Sequence, residues 1–259
     1  MSSRYIGHLV SLLVIFALLA CTVCTALADG PLTAKLLPQG GIQIMSDGKT
    51  IATLELNAHG PKWTHAGQET ATATITKPGS ARRCEGLLPV PNTDGGAVRF
   101  VEVIRPKPKE FRVTYELGFT KTMTLDGLQV SLLLPTEAYA GHAVLVGRPS
   151  AETADLRRIL LPPQLNEQGW QLATLPAETL QIAPGADGAM TLTARVSTGK
   201  RSEASPAPNW AIQDLRQWKQ DAFEARLFLI MSDQGKQVTA DDKMTVQLDV
   251  AFPSEVQWE

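Results

Sequence analysis

The residues best suited to chemistry lie in one short stretch, residues 57–65, which combines two histidines with polar and aromatic side chains. His59 and His65 belong to this stretch, and Glu55 and Glu69 flank it. A histidine beside a carboxylate can act as a general acid or base when both groups reach the reacting atoms. The same side chains could supply two metal ligands, but a catalytic zinc needs a third and the spacing matches no metal motif. Glu55, His59 and His65 are therefore candidate catalytic residues, with ordinary loop histidines as the alternative.

A second group of residues fits sugar binding. The chain has five tryptophans, four of them beyond residue 160, and an exposed tryptophan ring can stack on the apolar face of a pyranose. Trp210 and Trp218 stand among polar residues of the kind that contact saccharides. The candidate ligand-binding residues are Asn209, Trp210, Asp214, Arg216 and Trp218. The alternative at each tryptophan is a core position, which is common in β-sandwiches.

Charge and cysteine content exclude other classes of function. The 24 basic and 26 acidic residues give a net charge of −2, and no run of Lys or Arg is longer than two, which argues against a nucleic-acid partner. Cys84 is the only cysteine after residue 24, and no base lies near it in the sequence. We expect Cys84 to be a buried apolar residue rather than a nucleophile. We predict neither a metal site nor a cofactor.

The first 28 residues are typical of a secretory signal peptide. Arg4 precedes an apolar run over residues 9–20, and Ala26-Leu27-Ala28 forms a small-residue cleavage site. Residues 18–21 also read as a lipobox, in which Cys21 would be lipidated and would tether the protein to the envelope. We expect cleavage after Ala28 and export to the periplasm or the exterior. No later apolar run is long enough for a transmembrane helix.

Apolar and polar residues alternate with period two along the chain after residue 40, which is the pattern of half-buried strands. Residues 42–45 and 50–56 predict a hairpin around the Asp47-Gly48 turn. Further strands are predicted at 70–76, 97–104, 110–117, 129–134, 141–146, 179–182, 190–196, 222–230 and 243–251. Many short strands at regular spacing predict an all-β fold, a large antiparallel β-sandwich formed by residues 29–259 as a single domain. One or two short helices are expected, at 151–158 and 212–218, and a surface loop at 199–208.

One resemblance to a known family is carried by residues 41–48 and by residues 209–218 leading into 223–227. These segments resemble the galactose-mutarotase-like β-supersandwich domains of secreted bacterial proteins that process polysaccharides. The resemblance implies a broad antiparallel sandwich that presents a concave face to sugar, and hence a polysaccharide or oligosaccharide partner. We therefore expect a carbohydrate-binding or carbohydrate-processing accessory protein, with binding favoured over catalysis. A structural or protein-interaction domain of the envelope is the alternative.

Overall fold

The computed structural model describes residues 32–147, 156–166, 168–186, 189–198 and 208–259. The predicted signal peptide with Cys21 lies outside these residues, as do residues 151–155 of one predicted helix and residues 199–207 of the predicted loop. Eighteen strands are described, numbered in chain order as β1 Leu32–Leu36, β2 Ile42–Ser46, β3 Lys49–Gly60, β4 Thr64–Gly67, β5 Thr72–Thr76, β6 Arg82–Pro89, β7 Ala97–Pro106, β8 Glu110–Phe119, β9 Met123–Pro135, β10 Ala143–Gly147, β11 Arg157–Leu160, β12 Gln171–Pro176, β13 Thr179–Ile182, β14 Met190–Thr198, β15 Asn209–Asp214, β16 Ala222–Val238, β17 Lys243–Ala251 and β18 Val256–Trp258.

Helical structure among the described residues is limited to short segments. One α-helix, α1, spans Thr136–Tyr139, and three 3-10 turns span Pro61–Trp63, Gln68–Thr70 and Leu215–Trp218. The predicted helix at 212–218 is therefore only partly correct, since residues 212–214 complete β15. Two neighbouring strands explain the difference, because β15 pairs along its length with β12 and with β16. The described end of the other predicted helix, Arg157 and Arg158, begins β11 instead.

The strands form two sheets of nine strands each. The first sheet has the order β12-β15-β16-β9-β3-β2-β1-β18, with β4 added to β3, and the second has the order β11-β10-β13-β14-β17-β8-β7-β6-β5. All pairs are antiparallel except β1 with β18. The predicted β2–β3 hairpin is present, and Asp47 and Gly48 have the positive φ values, 49° and 73°, that a tight hairpin turn requires. The predicted all-β sandwich is confirmed.

The inner faces of both sheets contribute to one hydrophobic cluster. The largest fully buried side chains come from both sheets and include Trp210, Tyr115, Phe100, Phe111 and Phe223. Trp210 is 1% exposed, and its indole Nε1 donates a hydrogen bond to the Ala177 carbonyl oxygen at 3.1 Å. Trp210 therefore takes the core position that was the alternative for each tryptophan, and it is not the exposed platform that stacking on a sugar would need. Alternation along β15 turns Trp210 and Ile212 inward, so both side chains belong to the hydrophobic cluster.

A buried carboxyl group lies within this otherwise apolar interior. Glu102 of β7 is fully buried and accepts hydrogen bonds from the Gly41 backbone N–H at 2.8 Å, Gln68 Nε2 at 3.0 Å and the Tyr115 hydroxyl at 3.1 Å. Burial raises the pKa of Glu102 and, beside it, the pKa of Tyr115. Cys84 is buried nearby, and desolvation followed by the charge of Glu102 raises the pKa of its thiol to about 12. Cys84 therefore stays protonated, as expected of a core residue rather than a nucleophile.

Gln68 links this interior network to β3. Its side-chain oxygen accepts the backbone N–H of Leu56 at 2.7 Å. Strand β2 pairs with β3 as far as Leu54, and β4 pairs with β3 from Asn57 onward, so Leu56 lies in the gap between the two partners. The Gln68 side chain satisfies the backbone group that neither strand reaches, which keeps β3 continuous at this point.

The contrast between Trp210 and Trp218 makes a stability prediction. Trp210→Ala removes a fully buried ring and its hydrogen bond, and it should lower the free energy of unfolding by about 3–5 kcal/mol. Trp218 is 50% exposed, so Trp218→Ala should cost less than about 1 kcal/mol. Urea unfolding followed by tryptophan fluorescence measures both variants. Equal losses of unfolding free energy in Trp210→Ala and Trp218→Ala would contradict the buried placement of Trp210.

Candidate functional site

The outward face of the first sheet is polar at its centre. Strands β3, β9 and β16 are adjacent, and residues opposite one another in an antiparallel pair point to the same side. Glu55 lies opposite Ser131, which lies opposite Arg226. Because side chains alternate, the same face also carries the residues two positions away on each strand. We call this surface the polar face; it comprises Glu55, Asn57, His59, Gln129, Ser131, Gln213, Glu224 and Arg226.

Several of these side chains bind one another. Arg226 Nη2 donates to Glu224 Oε2 at 2.5 Å, and Ser131 Oγ donates to Glu224 Oε1 at 2.5 Å. Asn57 Nδ2 donates to Glu55 Oε1 at 3.0 Å. Glu224 is therefore held between Ser131 and Arg226, whereas Glu55 is fixed on one side only by Asn57.

Four atoms of the polar face are buried without a hydrogen-bond partner. They are Asn57 Oδ1, Gln129 Oε1, Gln213 Oε1 and Arg226 Nε, and they make up four of the seven such side-chain atoms among the described residues. The three amide residues are 3%, 1% and 6% exposed. A buried polar group without a partner costs about 1–3 kcal/mol, so such groups seldom collect on one surface without a role. Their concentration here marks the polar face as the candidate site.

His59 lies at the end of the polar face nearest β4, where its ring meets those of Trp63 and His65. The ring centroid of His59 lies 5.3 Å from the ring centroid of Trp63 and 5.3 Å from that of His65. Nδ1 of His59 lies 3.4 Å from the Trp63 carbonyl oxygen, and Nε2 lies 3.1 Å from Gln129 Nε2. A neutral imidazole that carries its proton on Nδ1 satisfies both contacts, because Nδ1 then donates to the carbonyl and Nε2 accepts from the amide.

Gly127 makes room for these rings. A Cβ atom at this position would lie 3.0 Å from His59 Cδ2 and 3.2 Å from Trp63 Cζ3. The Trp63 backbone N–H donates to Asp126 Oδ2 at 2.9 Å, which fixes the turn that carries the ring. Trp63 stays 36% exposed, so one part of the indole packs on the sheet while the rest faces solvent.

Burial shifts the titration of two residues in opposite directions. Desolvation, opposed by the Asn57 hydrogen bond and aided by the charges of Glu69 and Glu224, raises the pKa of Glu55 from 4.5 to about 7. Desolvation, with Arg226 and His65, lowers the pKa of His59 from 6.5 to about 4. At neutral pH His59 is therefore uncharged, and Glu55 exists in both protonation states. A carboxyl group with this pKa can both give and take a proton near pH 7.

The candidate catalytic residues lie together, as the sequence suggested. Glu55 and His59 share the outward face of β3, and His65 lies opposite His59 on β4. Any catalytic role for them stays a prediction. In the described part of the chain, no three His, Cys, Asp or Glu side chains come together in a way that could hold a metal ion.

The candidate sugar-binding residues do not form one surface. Asp214 is fully buried, and both of its carboxylate oxygens accept from the Arg216 guanidinium, at 2.9 and 2.6 Å. Arg216 also donates to the carbonyl oxygens of Pro162 and Pro163. This ion pair anchors the end of β15, which explains the polar composition around the tryptophans. Asn209 lies on β15 opposite Phe228 and is partly buried.

Trp218 has the exposure that was expected of it. The ring lies 4.8 Å from that of Trp170, in an edge-to-face arrangement at the end of the 3-10 turn after β15. Its contact with a ligand stays a prediction.

The candidates from the sequence did not include Gln213 or the polar-face residues of β9 and β16, whereas Trp63 lies in the stretch 57–65 that the sequence pointed to. A signal for them was present, because Glu224 and Arg226 alternate with Phe223, Ala225 and Leu227, and Ser131 alternates with Val130 and Leu132. That alternation indicates an outward polar face. It does not indicate that the polar residues of three distant segments meet.

Comparisons with known proteins give a weak likeness of fold. No protein-family model and no curated protein matches the sequence. Among solved structures, the Slr1438 protein from Synechocystis sp. PCC 6803 has a TM-score of 0.44 at 10% identity, over 83% of this chain and 90% of that one. A protein from Escherichia coli K12 named "putative aldose 1-epimerase" has a TM-score of 0.41 at 11% identity, over 85% and 98%. At these scores the likeness assigns no function to this chain.

Within the residues described here, no helix is long and apolar enough to cross a membrane.

The opposite pKa shifts predict opposite contributions to stability. The raised Glu55 pKa contributes stability that is full below about pH 4.5 and is lost as the pH rises through about 7. The lowered His59 pKa contributes stability that is full above about pH 6.5 and is lost as the pH falls through about 4. In Glu55→Gln the free energy of unfolding should therefore rise more steeply with pH than in the unsubstituted protein. In His59→Gln it should rise less steeply, or fall. Urea unfolding across this pH range tests both, and parallel curves for all three proteins would contradict the shifts.

Proposed function

We propose that this chain is an exported carbohydrate-binding protein and that the polar face receives the saccharide. The observation that carries the proposal is the group of four buried, unpartnered polar atoms on adjacent strands. A sugar hydroxyl donates one hydrogen bond and accepts others, so a row of hydroxyls can satisfy amide oxygens and a guanidinium N–H together. Export is inferred from the signal-like first 28 residues.

The surroundings of these atoms support a saccharide over other ligands. Trp63 lies at one end of the polar face with part of its ring exposed, where it can stack on the apolar side of a pyranose. The centre of the face carries amide and charged groups rather than the apolar core that protein-binding surfaces have. The resemblance of residues 41–48 and 209–218 to sugar-binding sandwich domains points to the same ligand class.

Removal of one unpartnered acceptor should lower the affinity for the saccharide without lowering the free energy of unfolding. Gln213→Leu removes an oxygen that the folded protein leaves unsatisfied, so the free energy of unfolding should stay the same or rise by about 1 kcal/mol. Affinity for the saccharide should fall about tenfold, because one hydrogen bond to the ligand is lost. Calorimetric titration against a panel of oligosaccharides measures the affinity.

The matched control is Gln181→Leu, the same exchange at a partly buried position on β13 of the second sheet. It should leave the affinity unchanged. A folded protein that binds no glycan, or whose affinity is insensitive to Gln213→Leu, contradicts the proposal and favours a structural or protein-interaction role.

A reaction on the bound saccharide is a second candidate function, and the pKa of Glu55 favours it. A carboxyl group that titrates near pH 7 can transfer a proton to or from a sugar oxygen at neutral pH. His59 lies two residues away on the same face as a neutral hydrogen-bonding group.

If the protein turns over a sugar, its rate should change with pH around an apparent pKa of about 7. Glu55→Gln should abolish that pH dependence. It should also lower kcat by more than it raises KM, because the lost carboxyl group transfers a proton in the transition state. The rates are measured on the glycan that binds most tightly. An unchanged pH profile in Glu55→Gln would exclude Glu55 as the acid or base.

A further inference from the structure

We propose that the saccharide carries free amino groups, and that the polar face selects a protonated amino sugar over a neutral sugar and rejects an acidic one. This inference rests on the proposed function, because it names the class of sugar that the same face binds.

The first argument is the balance of charge. Glu55 and Glu224 lie on the polar face, and Arg226 is its one described cation. The Arg226 guanidinium is already paired with Glu224 at 2.5 Å, and its side chain is only 15% exposed. An incoming carboxylate or sulfate would therefore meet a guanidinium whose Nη2 is already held by Glu224 and whose unpartnered Nε is buried.

A third carboxylate adds to the negative charge. Glu69 follows β4 in a 3-10 turn, and its carboxylate folds back over Gly67, occupying the position that a Cβ there would take. Gly67 lies opposite Asn57 in the β3–β4 pair, so this carboxylate lies beside the polar face. The charges of Glu69 and Glu224 both disfavour ionisation of Glu55. A cation placed among the three would relieve this repulsion.

The His59 ring does not offset these charges. Nε2 of His59 faces the Gln129 amide, and its Nδ1 faces the Trp63 carbonyl oxygen, an arrangement that the neutral ring satisfies. Burial and the neighbouring Arg226 keep the ring uncharged at neutral pH.

The second, independent argument is the kind of unpartnered atom on the polar face. Three of the four are amide oxygens, which accept hydrogen bonds, and their residues are at least nine-tenths buried. The orientation of two amides is set by their partners, because Asn57 Nδ2 donates to Glu55 and Gln129 Nε2 faces His59. Most of the unpartnered atoms on the polar face therefore need a hydrogen-bond donor from a ligand rather than an acceptor. An ammonium group supplies three donors and a positive charge, whereas a hydroxyl supplies one donor.

The experiment compares oligosaccharides of one length and one β-1,4 linkage that differ in the substituent. Oligomers of glucosamine, glucose, N-acetylglucosamine and glucuronic acid are titrated calorimetrically against the purified protein. We expect the glucosamine oligomer to bind at least about tenfold more tightly than the glucose oligomer, from charge-assisted hydrogen bonds. We expect no saturable binding of the glucuronic acid oligomer.

Two variants test whether the carboxylates cause the preference. Glu55→Gln and Glu69→Gln should each lower the ratio of the glucosamine to the glucose affinity several-fold. Glu69 is exposed, so its variant remains informative if Glu55→Gln fails to fold. Glu116→Gln removes an exposed carboxylate on β8 of the second sheet and should leave the ratio unchanged. An equal fall of the ratio in Glu116→Gln would show general attraction of a polycation and would overturn the inference.

The outcomes for this inference and for the proposed function differ. Binding of the glucose oligomer that equals or exceeds that of the glucosamine oligomer overturns the amino-sugar inference and leaves the proposed function standing. Saturable binding of the glucuronic acid oligomer also overturns it. Failure of every glycan to bind overturns both.

Discussion

The buried carboxyl group of Glu102 is the interaction on which the rest of the structure depends. It lies between the two sheets and accepts hydrogen bonds from Gly41, Gln68 and Tyr115, so three separate segments meet at one group. A carboxyl group in an apolar interior is tolerated only where its hydrogen bonds are made, and each missing donor would leave a costly unpaired oxygen. Gly40, beside this group, has a φ of 87°, and a Cβ there would meet both Glu102 and Gln68.

The effect of Glu102 extends to the opposite face of the first sheet. Gln68, held by Glu102, accepts the backbone N–H of Leu56, and Leu56 stands between Glu55 and Asn57 in β3. One side of that strand is thus fixed by the core network, while the other side presents the carboxyl and amide groups of the polar face. Rigid placement matters there, because hydrogen bonds to a ligand depend on where the acceptors stand before binding.

The polar face holds four of the seven buried side-chain atoms that lack a hydrogen-bond partner among the described residues. Gln129 is 1% exposed although it lies on the outward side of the sheet. The amide oxygens of Gln129, Asn57 and Gln213 have lost their hydration on burial and have gained no hydrogen bond in its place. A concentration of unsatisfied polar groups on one surface is the pattern expected of a binding site.

The sequence by itself determined eleven of the eighteen described strands, the hairpin at Asp47-Gly48 and the all-β class, because alternation and turn geometry are local properties of the chain. It also grouped Glu55, His59 and His65, which are close along the chain. Only the tertiary structure decided that Glu55 meets Ser131 and Arg226, since strand neighbours are chosen by pairing between distant segments. Trp218 stays exposed in the 3-10 turn after β15. Strand pairing turned Trp210 into the core, because alternation fixes which residues share a face but not which face is buried.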